Sequence, residues 1–357
     1  SDHTTVCPFK GDASYWSVAS GGDGAANSVW GYRDPFPEVA ELAGHVAFYA
    51  DRFEITVTER WPDDHPVPVT KRFPLWGSAE DLLNLMDVTP NGPDRFVAPP
   101  FPDPPYGTFF PAATALTYRN VIEGGQLLGT IVAAASKTAP DKCVTSAHAL
   151  FLRAASFHEP LDVDVKVLRA GRTVTAVDVR LSQGGKLCCA GMALLDVGAD
   201  EILRMVAPRP DVAPPGDSPH LDMSVEGRDL REVGGSYRAE AGNVGPPEVN
   251  VWVRFRTAPP HRHQHQALIA QATTHWTIAA AMRPMEGLSE DDAHVTVSTG
   301  PLAVSITFHD DPDVSQWMLY SNPAVYSGHG SSQGNGLVHS LDGRLLASYS
   351  VQAMIRP

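Results

Sequence analysis

The sequence is poor in cysteine, in basic charge and in long apolar runs, and each shortage argues against a class of protein. Its 357 residues include four scattered cysteines, so we expect a reducing compartment and no disulfide framework. The 27 basic residues against 41 acidic ones give a net charge of −14, which disfavours a nucleic-acid partner. We find no apolar run of membrane-spanning length and no signal peptide, which predicts no membrane partner and a cytoplasmic location.

The distribution of proline and of apolar runs divides the chain into five segments. Proline-dense stretches separate them, because proline is poorly tolerated inside helices and central strands. We predict a small β domain, a proline-rich connector that leads into the first unit, a first helix-and-sheet unit, a linker and a second such unit. Their residue ranges are 1–65, 66–111, 112–200, 201–246 and 247–357.

The most informative run begins at two adjacent glycines and continues as an apolar helix. Gly124 and Gly125 precede QLLGTIVAAASK (126–137), whose apolar positions form one broad face with helical spacing. Glycines at this point leave room for a ligand, and the free N–H groups of a helix N-terminus stabilise an oxyanion. We therefore predict that Gly124, Gly125 and Gln126 bind a substrate.

Each long segment combines such a helix with strand-like runs. In the second segment an alternating run at residues 249–256 precedes an alanine-rich helix at residues 265–282, and further strand-like runs follow. The pattern predicts an α+β fold in which two helices are each wrapped by antiparallel sheet, a duplication of architecture rather than of sequence. In the first segment, the runs that follow the helix are 144–153, 161–169, 173–183 and 186–195.

Several motifs, in this order along the chain, resemble the acyl-CoA thioesterase II family. The resemblance covers roughly residues 80–357 and implies a double hotdog fold, each hotdog being a helix wrapped by antiparallel sheet. It also implies hydrolysis of fatty acyl-CoA thioesters without a covalent intermediate; we expect no cofactor. The motifs are VIEGGQLLGTIVAAA (121–135), HALFLR (148–153), LDVDVKVLRAGRTVTAVDVRLSQGGK (161–186), VWVRFR (251–256), HQALIAQATTHW (265–276), TFHDDPDVSQWMLYS (307–321) and LDGRLLAS (341–348).

The N-terminal segment resembles a different family, a small β-domain labelled nucleotidyltransferase-like that has no assigned function. The likeness lies in SDHTTVCPFKGDASYWSV (1–18) and in NSVWGYRDPFPEVAELAGHVAFYADRFEI (27–55). Cys7 with His3 and Lys10 suggests a nucleophile, whereas a lone cysteine without further ligands argues against zinc. Packing explains the aromatic residues of this segment better than base stacking does, because the chain is acidic.

The residues that position water in the thioesterase family are altered here. The family has an Asp on the second hotdog helix, a Thr or Ser on the following strand and a Gln near the C-terminus. Thr274 stands at the Asp position, and a hydroxyl cannot act as a general base near neutral pH. Pro301 stands at the strand position, with Ser298 or Thr299 available only if the register shifts.

The third position is displaced by one residue. Without a gap, Val351 aligns with the family glutamine and Gln352 follows it. A slip of one residue turns a strand side chain to the opposite face of the sheet. Ordinary water activation by the family mechanism is therefore not expected.

Two neighbouring residues offer replacements for the missing base. Glu123 places a carboxylate at the start of the glycine-led helix, although a solvated charge favoured by the helix dipole is the plainer interpretation. His275 follows Thr274 and could act as acid or base, although a structural histidine is the plainer interpretation. Our candidate catalytic residues are thus Glu123, Thr274, His275 and Gln352.

Three alternating histidines do not form a predicted metal site. His261, His263 and His265 precede the second helix, but alternation places at most two on one side and no cysteine or carboxylate completes the set. The resemblance also accounts for His265, since the family often has a histidine there. We predict no metal.

Three functions are consistent with these observations. The first is an acyl-thioester hydrolase with a non-standard active site, acting on an acyl-CoA-like substrate. The second is a hotdog enzyme that catalyses dehydration, isomerisation, decarboxylation or cyclisation of a polyketide-like small molecule. The third is a binding protein without catalysis. Because the two hotdog units can pair within one chain, we expect a monomer or a homodimer.

Overall fold

The computed structural model describes six strands within residues 3–74, and residues 79–100, 121–156, 159–221, 228–234, 237, 244–293 and 296–357. The chain forms two compact units, Ser1–Trp76 and Gly77–Pro357. Cys7, Lys10, the side chain of His3 and most of the proline-dense residues 98–111 lie outside the described residues. The expectations for them stay predictions.

The first unit contains one antiparallel sheet whose six strands follow chain order. The edge strand covers residues 67–74, which the sequence placed in a proline-rich connector. It forms a strand because an edge position leaves one row of N–H groups unpaired, so Pro68 and Pro74 are tolerated there. The strands are β1 His3–Thr5, β2 Ser14–Gly22, β3 Ala25–Arg33, β4 Glu41–Phe48, β5 Arg52–Arg60 and β6 Val67–Pro74.

The described part of the second unit consists of four α-helices and one large antiparallel sheet. No described helix has the length and apolarity needed to cross a bilayer. The helices are α1 Ala79–Met86, α2 Gly124–Thr138, α3 Arg262–Ala272 and α4 Thr277–Met282. The strands are β7 Thr89–Pro90, β8 Arg95–Ala98, β9 Cys143–Phe151, β10 Leu161–Ala170, β11 Val174–Gln183, β12 Lys186–Asp196, β13 Arg228–Glu232, β14 Glu248–Phe255, β15 Ser298–Phe308, β16 Met318–Gly328, β17 Ser331–Ser340 and β18 Leu345–Arg356.

The two predicted helix-and-sheet units share one continuous sheet. Its strand order is β13-β14-β16-β17-β18-β15-β9-β12-β11-β10-β8-β7. The predicted second unit contributes five strands and the first contributes four, while β13 comes from the predicted linker and β7 and β8 come from the predicted connector. The two halves join where β15 pairs with β9, with Ala303 opposite Leu150 and Thr307 opposite Ser146. The α+β architecture predicted from the sequence, two helices against antiparallel sheet, is confirmed.

Helix α2 is buried on every side, although its sequence predicted one broad apolar face. Residues Gly125–Ser136 are all buried, because the sheet covers one side of the helix and α1 and α3 cover the other. Small residues permit this close packing. At Gly129 a Cβ atom would lie 2.1 Å from the sulfur of Met86 on α1, closer than van der Waals contact allows.

The alanine-rich segment predicted as one helix over residues 265–282 forms two helices. Helix α3 ends at Ala272 and α4 begins at Thr277. Thr273 donates a hydrogen bond from Oγ1 to the carbonyl of Ala270 at 2.7 Å, a side-chain bond that competes with the helical backbone ladder. The break between the helices positions His275 and Trp276.

The predicted linker at 201–246 contains a strand that the sequence did not indicate. In β13, Arg228 pairs with Phe255 of β14, and Glu232 pairs with Val251. The run RDLRE has four charged residues in five, so its alternation of buried and half-buried side chains does not show as an alternation of apolar and polar residues. Pairing with an apolar strand makes it part of the sheet and buries Arg228.

Candidate active site

The candidate site lies where the N-terminus of α2 meets the C-terminal end of α3. The two helices cross antiparallel at very short distance: a Cβ atom on Gly125 would lie 2.0 Å from the carbonyl oxygen of Gln271, and one on Gly129 would lie 3.2 Å from that of Ala267. Such an approach requires glycine at position 125. It brings the residue before α2, Glu123, next to the residues that end α3.

Four polar residues meet at this crossing, and we call Glu123, Gln271, His275 and Arg228 the Glu123 cluster. The amide nitrogen of Gln271 donates to Oε2 of Glu123 at 2.9 Å and lies 3.3 Å from Nε2 of His275. Nε2 of His275 lies 3.4 Å from the same carboxylate oxygen. Arg228 donates from a terminal nitrogen to Oε1 of Gln271 at 3.3 Å. A carboxylate, an imidazole, an amide and a guanidinium thus share one network.

The carboxylate of Glu123 is strongly held in its charged form. Partial burial disfavours ionisation, but the charge of His275, a hydrogen bond with it, the charge of Arg228 and the hydrogen bond from Gln271 together outweigh that cost. The pKa of Glu123 therefore falls from 4.5 to about 2. A carboxylate with so low a pKa is a weak base, so Glu123 is a poor proton acceptor.

The solvent exposure of the side chains in the cluster decreases from Glu123 to His275 and Arg228. The side chain of Glu123 is 47% exposed, whereas that of His275 is 5% exposed. Behind them Arg228 is buried, and burial lowers its pKa while the charge of Glu123 opposes that effect. Glu123 therefore faces the solvent entry, and His275 lies beneath it.

A row of aromatic rings continues from the cluster into the core. The ring centroid of His275 lies 5.5 Å from that of Trp276, which lies 6.4 Å from Tyr320, and Tyr320 lies 6.4 Å from Tyr349. Tyr237 meets Trp276 edge-on at 5.6 Å. These rings are buried, and they make the inner wall of the site aromatic and rigid.

The glycines at the start of α2 have a different role from the one that the sequence indicated. The space beside Gly125 is occupied by the backbone of Gln271, and a Cβ atom on Gly124 would meet the side chains of Pro301 at 2.7 Å and Phe151 at 3.0 Å. Protein, not an open space, therefore lies beside both glycines. Gln126 is buried, and its carbonyl accepts a hydrogen bond from Thr130. Binding of substrate by Gly124, Gly125 and Gln126 stays a prediction that rests on their N–H groups.

The structure brings two of the four candidate catalytic residues together. Glu123 and His275 meet in the cluster. Thr274 lies in the break between α3 and α4, and its hydroxyl makes no hydrogen bond to the described cluster residues. Gln352 is exposed on β18, while its neighbour Val351 is buried, so Gln352 faces away from the helices. Near the strand position Thr299 is buried and Ser298 is exposed.

Sequence reasoning missed Gln271 and Arg228. Gln271 was detectable in principle, because it is the one long polar side chain in the run ALIAQA of a buried helix, and buried amides need partners. Arg228 gave no comparable signal, since it lies in a segment interpreted as linker. Its contribution depends on β13 pairing with β14.

The three histidines before α3 are arranged without converging on one point. His261 and His263 stack with ring centroids 5.7 Å apart. His265 uses both ring nitrogens: Nδ1 accepts from the N–H of Val314 at 3.2 Å, and Nε2 therefore donates to the carbonyl of Pro259 at 2.8 Å. Among the described residues, no three His, Cys or acidic side chains are grouped as metal ligands.

Comparisons with known proteins agree with this architecture. Residues 116–195 match the acyl-CoA thioesterase N-terminal domain, and residues 205–355 match the acyl-CoA thioesterase C-terminal domain. Residues 1–59 match a domain of unknown function (DUF427). Acyl-CoA thioesterase 2 of Haemophilus influenzae is 27% identical over 264 residues, which covers 68% of this chain and 89% of that protein.

Solved structures show the same fold. The tesB protein of Mycobacterium avium subs paratuberculosis superposes with a TM-score of 0.63 at 22% identity, covering 78% of this chain and 100% of that one. A protein of unknown function with a hot dog fold from Alicyclobacillus acidocaldarius superposes with a TM-score of 0.61 at 18% identity, covering 77% of this chain and 98% of that one. Over residues 116–355 the chain therefore belongs to the acyl-CoA thioesterase II-like double hotdog family.

Proposed function

We propose that the chain hydrolyses acyl-CoA-type thioesters at the Glu123 cluster. Membership of the thioesterase family supports the reaction class, and the observation that carries the site is the contact of Glu123, Gln271 and His275 at the N-terminus of α2. This network supplies a charged carboxylate and an imidazole next to backbone donors. It lies next to Thr274, the residue that the resemblance predicts at the position of the family aspartate.

In the proposed reaction the imidazole of His275 moves the proton. His275 accepts a proton from water while the water oxygen attacks the thioester carbonyl carbon, and the carbonyl oxygen becomes an oxyanion. N–H groups in the first turn of α2, which have no partner within the helix, stabilise that charge. The C–S bond then breaks, the imidazolium returns its proton to the thiolate, and a carboxylic acid and the free thiol leave.

Glu123 acts on His275 rather than on water. With a pKa of about 2 it stays ionised at neutral pH, so it stabilises the imidazolium that forms during the reaction. Gln271 fixes the geometry, because its amide nitrogen contacts both partners. No step in this scheme uses a cofactor or passes through a covalent enzyme intermediate.

The test measures thiol release by the full chain from a panel of acyl-CoA thioesters of different chain length. We expect turnover of at least one thioester and a clear fall in kcat/KM for Glu123→Gln, because this variant removes the charge that stabilises the imidazolium. Glu159→Gln, at an exposed carboxylate outside the cluster, is the matched control and should keep full activity. Absence of thiol release from every substrate would refute hydrolysis, and binding of acyl-CoA without turnover would favour a binding function. Equal activity of the two variants would remove the Glu123 cluster from the mechanism.

A further inference from the structure

A cleft of about 590 Å³ lies on the face of the sheet opposite the helices, within the second hotdog unit. Two adjacent cross-strand rows form its floor. In one row Ser305 of β15, Ser350 of β18 and Asn335 of β17 are direct neighbours. In the next row Thr307, Ser348, Leu337 and Ser321 follow one another across the same strands and β16. The register therefore places five hydroxyl groups and one amide on a single surface.

The linker between the two hotdog units builds one wall of this outer cleft. Pro210 reaches the cleft, and its neighbours are fixed to the sheet. His339 contacts the carbonyl of Ala207 through Nε2 at 2.9 Å, and the indole N–H of Trp252 donates to the carbonyl of Ala213 at 2.9 Å. The guanidinium of Arg209 lies 5.3 Å from the centre of the Trp252 ring. The wall is thus anchored on both sides of Pro210, and the cleft is pre-formed.

One hydroxyl in the cleft is buried without a hydrogen-bond partner among the described residues. Ser321 is 4% exposed, and its Oγ atom makes no hydrogen bond to any residue that the structure describes. A buried polar group without a hydrogen bond costs free energy, so such groups in native proteins usually have a partner from the protein or from ordered water. Ser321 lines the cleft, which makes a ligand hydroxyl or a water molecule the natural partner.

The charge of the residues that line the cleft disfavours anionic ligands. None of the described residues that line the cleft is basic, and Glu248 contributes a carboxylate, one oxygen of which accepts from Asn250 at 2.7 Å. An anion such as a phosphate or a fatty acid would meet the carboxylate of Glu248, and the guanidinium of Arg209 in the wall lies against the Trp252 ring.

Serine and threonine hydroxyls both donate and accept, whereas a carboxylate only accepts. Three of the five hydroxyls, those of Ser305, Ser348 and Ser350, already contact a neighbouring side chain. The hydroxyls of Thr307 and Ser321, with the amide of Asn335 and the carboxylate of Glu248, are left to complement a molecule that carries hydroxyl groups and no negative charge.

The volume of the cleft and the apolar part of its lining restrict the class of ligand further. Pro210, Pro323 and Leu337 add apolar surface between the polar groups. A pyranose ring presents C–H faces to such surface and hydroxyls at its edge, and small-molecule sites span roughly 300–1,000 Å³. We propose that the outer cleft binds a neutral carbohydrate of one or two sugar units. This site is separate from the Glu123 cluster, which lies on the helix side of the sheet.

Ligand-observed NMR and thermal-shift measurements on the full chain test this inference, with glucose, maltose and cellobiose as neutral probes and glucose 6-phosphate as the anionic counterpart. We expect saturation transfer to at least one neutral sugar, and roughly tenfold weaker binding of glucose 6-phosphate than of glucose. Glu248→Gln should reduce that discrimination. Absence of binding by all three neutral sugars, or equal binding of the phosphorylated sugar by the unaltered chain, would overturn the proposal.

A variant that blocks the cleft distinguishes sugar binding in the cleft from sugar binding elsewhere on the surface. Asn335→Trp places a bulky side chain over the floor at an exposed position of β17, where aromatic residues are well tolerated, and should abolish sugar binding. Ser327→Trp, exposed on β16 outside the cleft lining, is the matched control and should bind as the unaltered chain does. Should Asn335→Trp fail to fold, Ser321→Ala tests the buried hydroxyl and should weaken binding. Unchanged sugar binding in a folded blocking variant would refute the site, whereas thiol release should stay the same in all of these variants.

Discussion

The two ends of the α2–α3 helix pair differ in the hydrogen bonds and ion pairs that their polar side chains make. At the N-terminus of α2, Glu123, Gln271 and His275 bond to one another at or below the surface. At the N-terminus of α3, His261 donates its backbone N–H to the side chain of Gln264 at 3.2 Å. Near that end Lys137 pairs with exposed Asp87 at 2.6 Å.

The difference shows which features make a helix end suitable for catalysis. Both ends present free backbone donors, so the helix dipole alone does not distinguish them. Near α3 the pKa of His263 is lowered, by burial and then by the charge of His261, and this favours a neutral, unpaired ring. Near α2 an ionised carboxylate and an imidazole are held in contact. A contact between a carboxylate and an imidazole therefore exists at one end of the helix pair, and the described residues at the other end form none.

The largest expected effect is the loss of kcat/KM on replacing the histidine at the α2 N-terminal end of the helix pair, compared with the histidine at the opposite end. His275→Ala should lower kcat/KM for thioester hydrolysis by roughly 10²–10⁴-fold, because it removes the proposed proton carrier. His263→Ala, at the opposite end, should leave kcat/KM unchanged. Steady-state thiol release measures both. Equal losses in the two variants would mean that the two ends are functionally equivalent.

The next effect concerns the close approach of the helices. Gly125→Ala should lower the free energy of unfolding by about 1–3 kcal/mol or more, because the added Cβ meets the backbone carbonyl of Gln271 and no side chain can move aside. Gly216→Ala is the control, since nothing lies within 4 Å of its Cβ position. Urea unfolding gives both values. A neutral result for Gly125→Ala would contradict the crossing described above.

The third prediction is an increase in thioester hydrolysis on introducing a carboxylate next to His275. Thr274→Asp places a carboxylate at the position that the resemblance predicts for the family aspartate, and we expect kcat/KM to rise roughly tenfold because a direct base for water is added. Gln352→Asp is the matched control, since that residue is exposed on the far face of the sheet. The same thiol-release assay applies. An unchanged rate in a folded Thr274→Asp variant would place residue 274 outside the reaction site.

The smallest effect is a pH dependence of stability. Because the pKa of Glu123 is about 2 in the folded protein and 4.5 ordinarily, its ionisation stabilises the fold fully above pH 4.5 and progressively less as the pH falls to 2. Partial exposure limits the amount to about 1 kcal/mol or less. The difference in free energy of unfolding between the unaltered chain and Glu123→Gln should therefore shrink over this range. A constant difference from pH 6 to pH 2 would contradict the assignment.

Local patterns predicted most of the fold. The strand-like runs at 144–153 and 161–169 correspond to β9 and β10, and the glycine-led helix corresponds to α2. The exceptions depend on contacts. A charged run became β13 because it pairs with β14, and the helix predicted over 265–282 is interrupted between Ala272 and Thr277.

The candidate site was less accessible to sequence reasoning. Glu123 and His275 were recognisable as unusual residues, each at a position where the resemblance implies something else. That they meet was not predictable, because Glu123 and Gln271 are separated by 148 residues. Gln352 illustrates the reverse case, since its sequence position suggested the site and its place on the exposed face of β18 does not bring it there.

The sequence by itself determined most of the segments that become helix and strand, and that the helix–sheet theme occurs twice. These properties follow from side-chain periodicity and residue identity, which act over a few neighbouring residues. Tertiary structure alone decided that Arg228 and Gln271 join Glu123 and His275, and that the space beside Gly125 is filled by protein. Those outcomes depend on how two helices cross and two strands pair, and no local pattern specifies the distance between atoms that far apart in the chain.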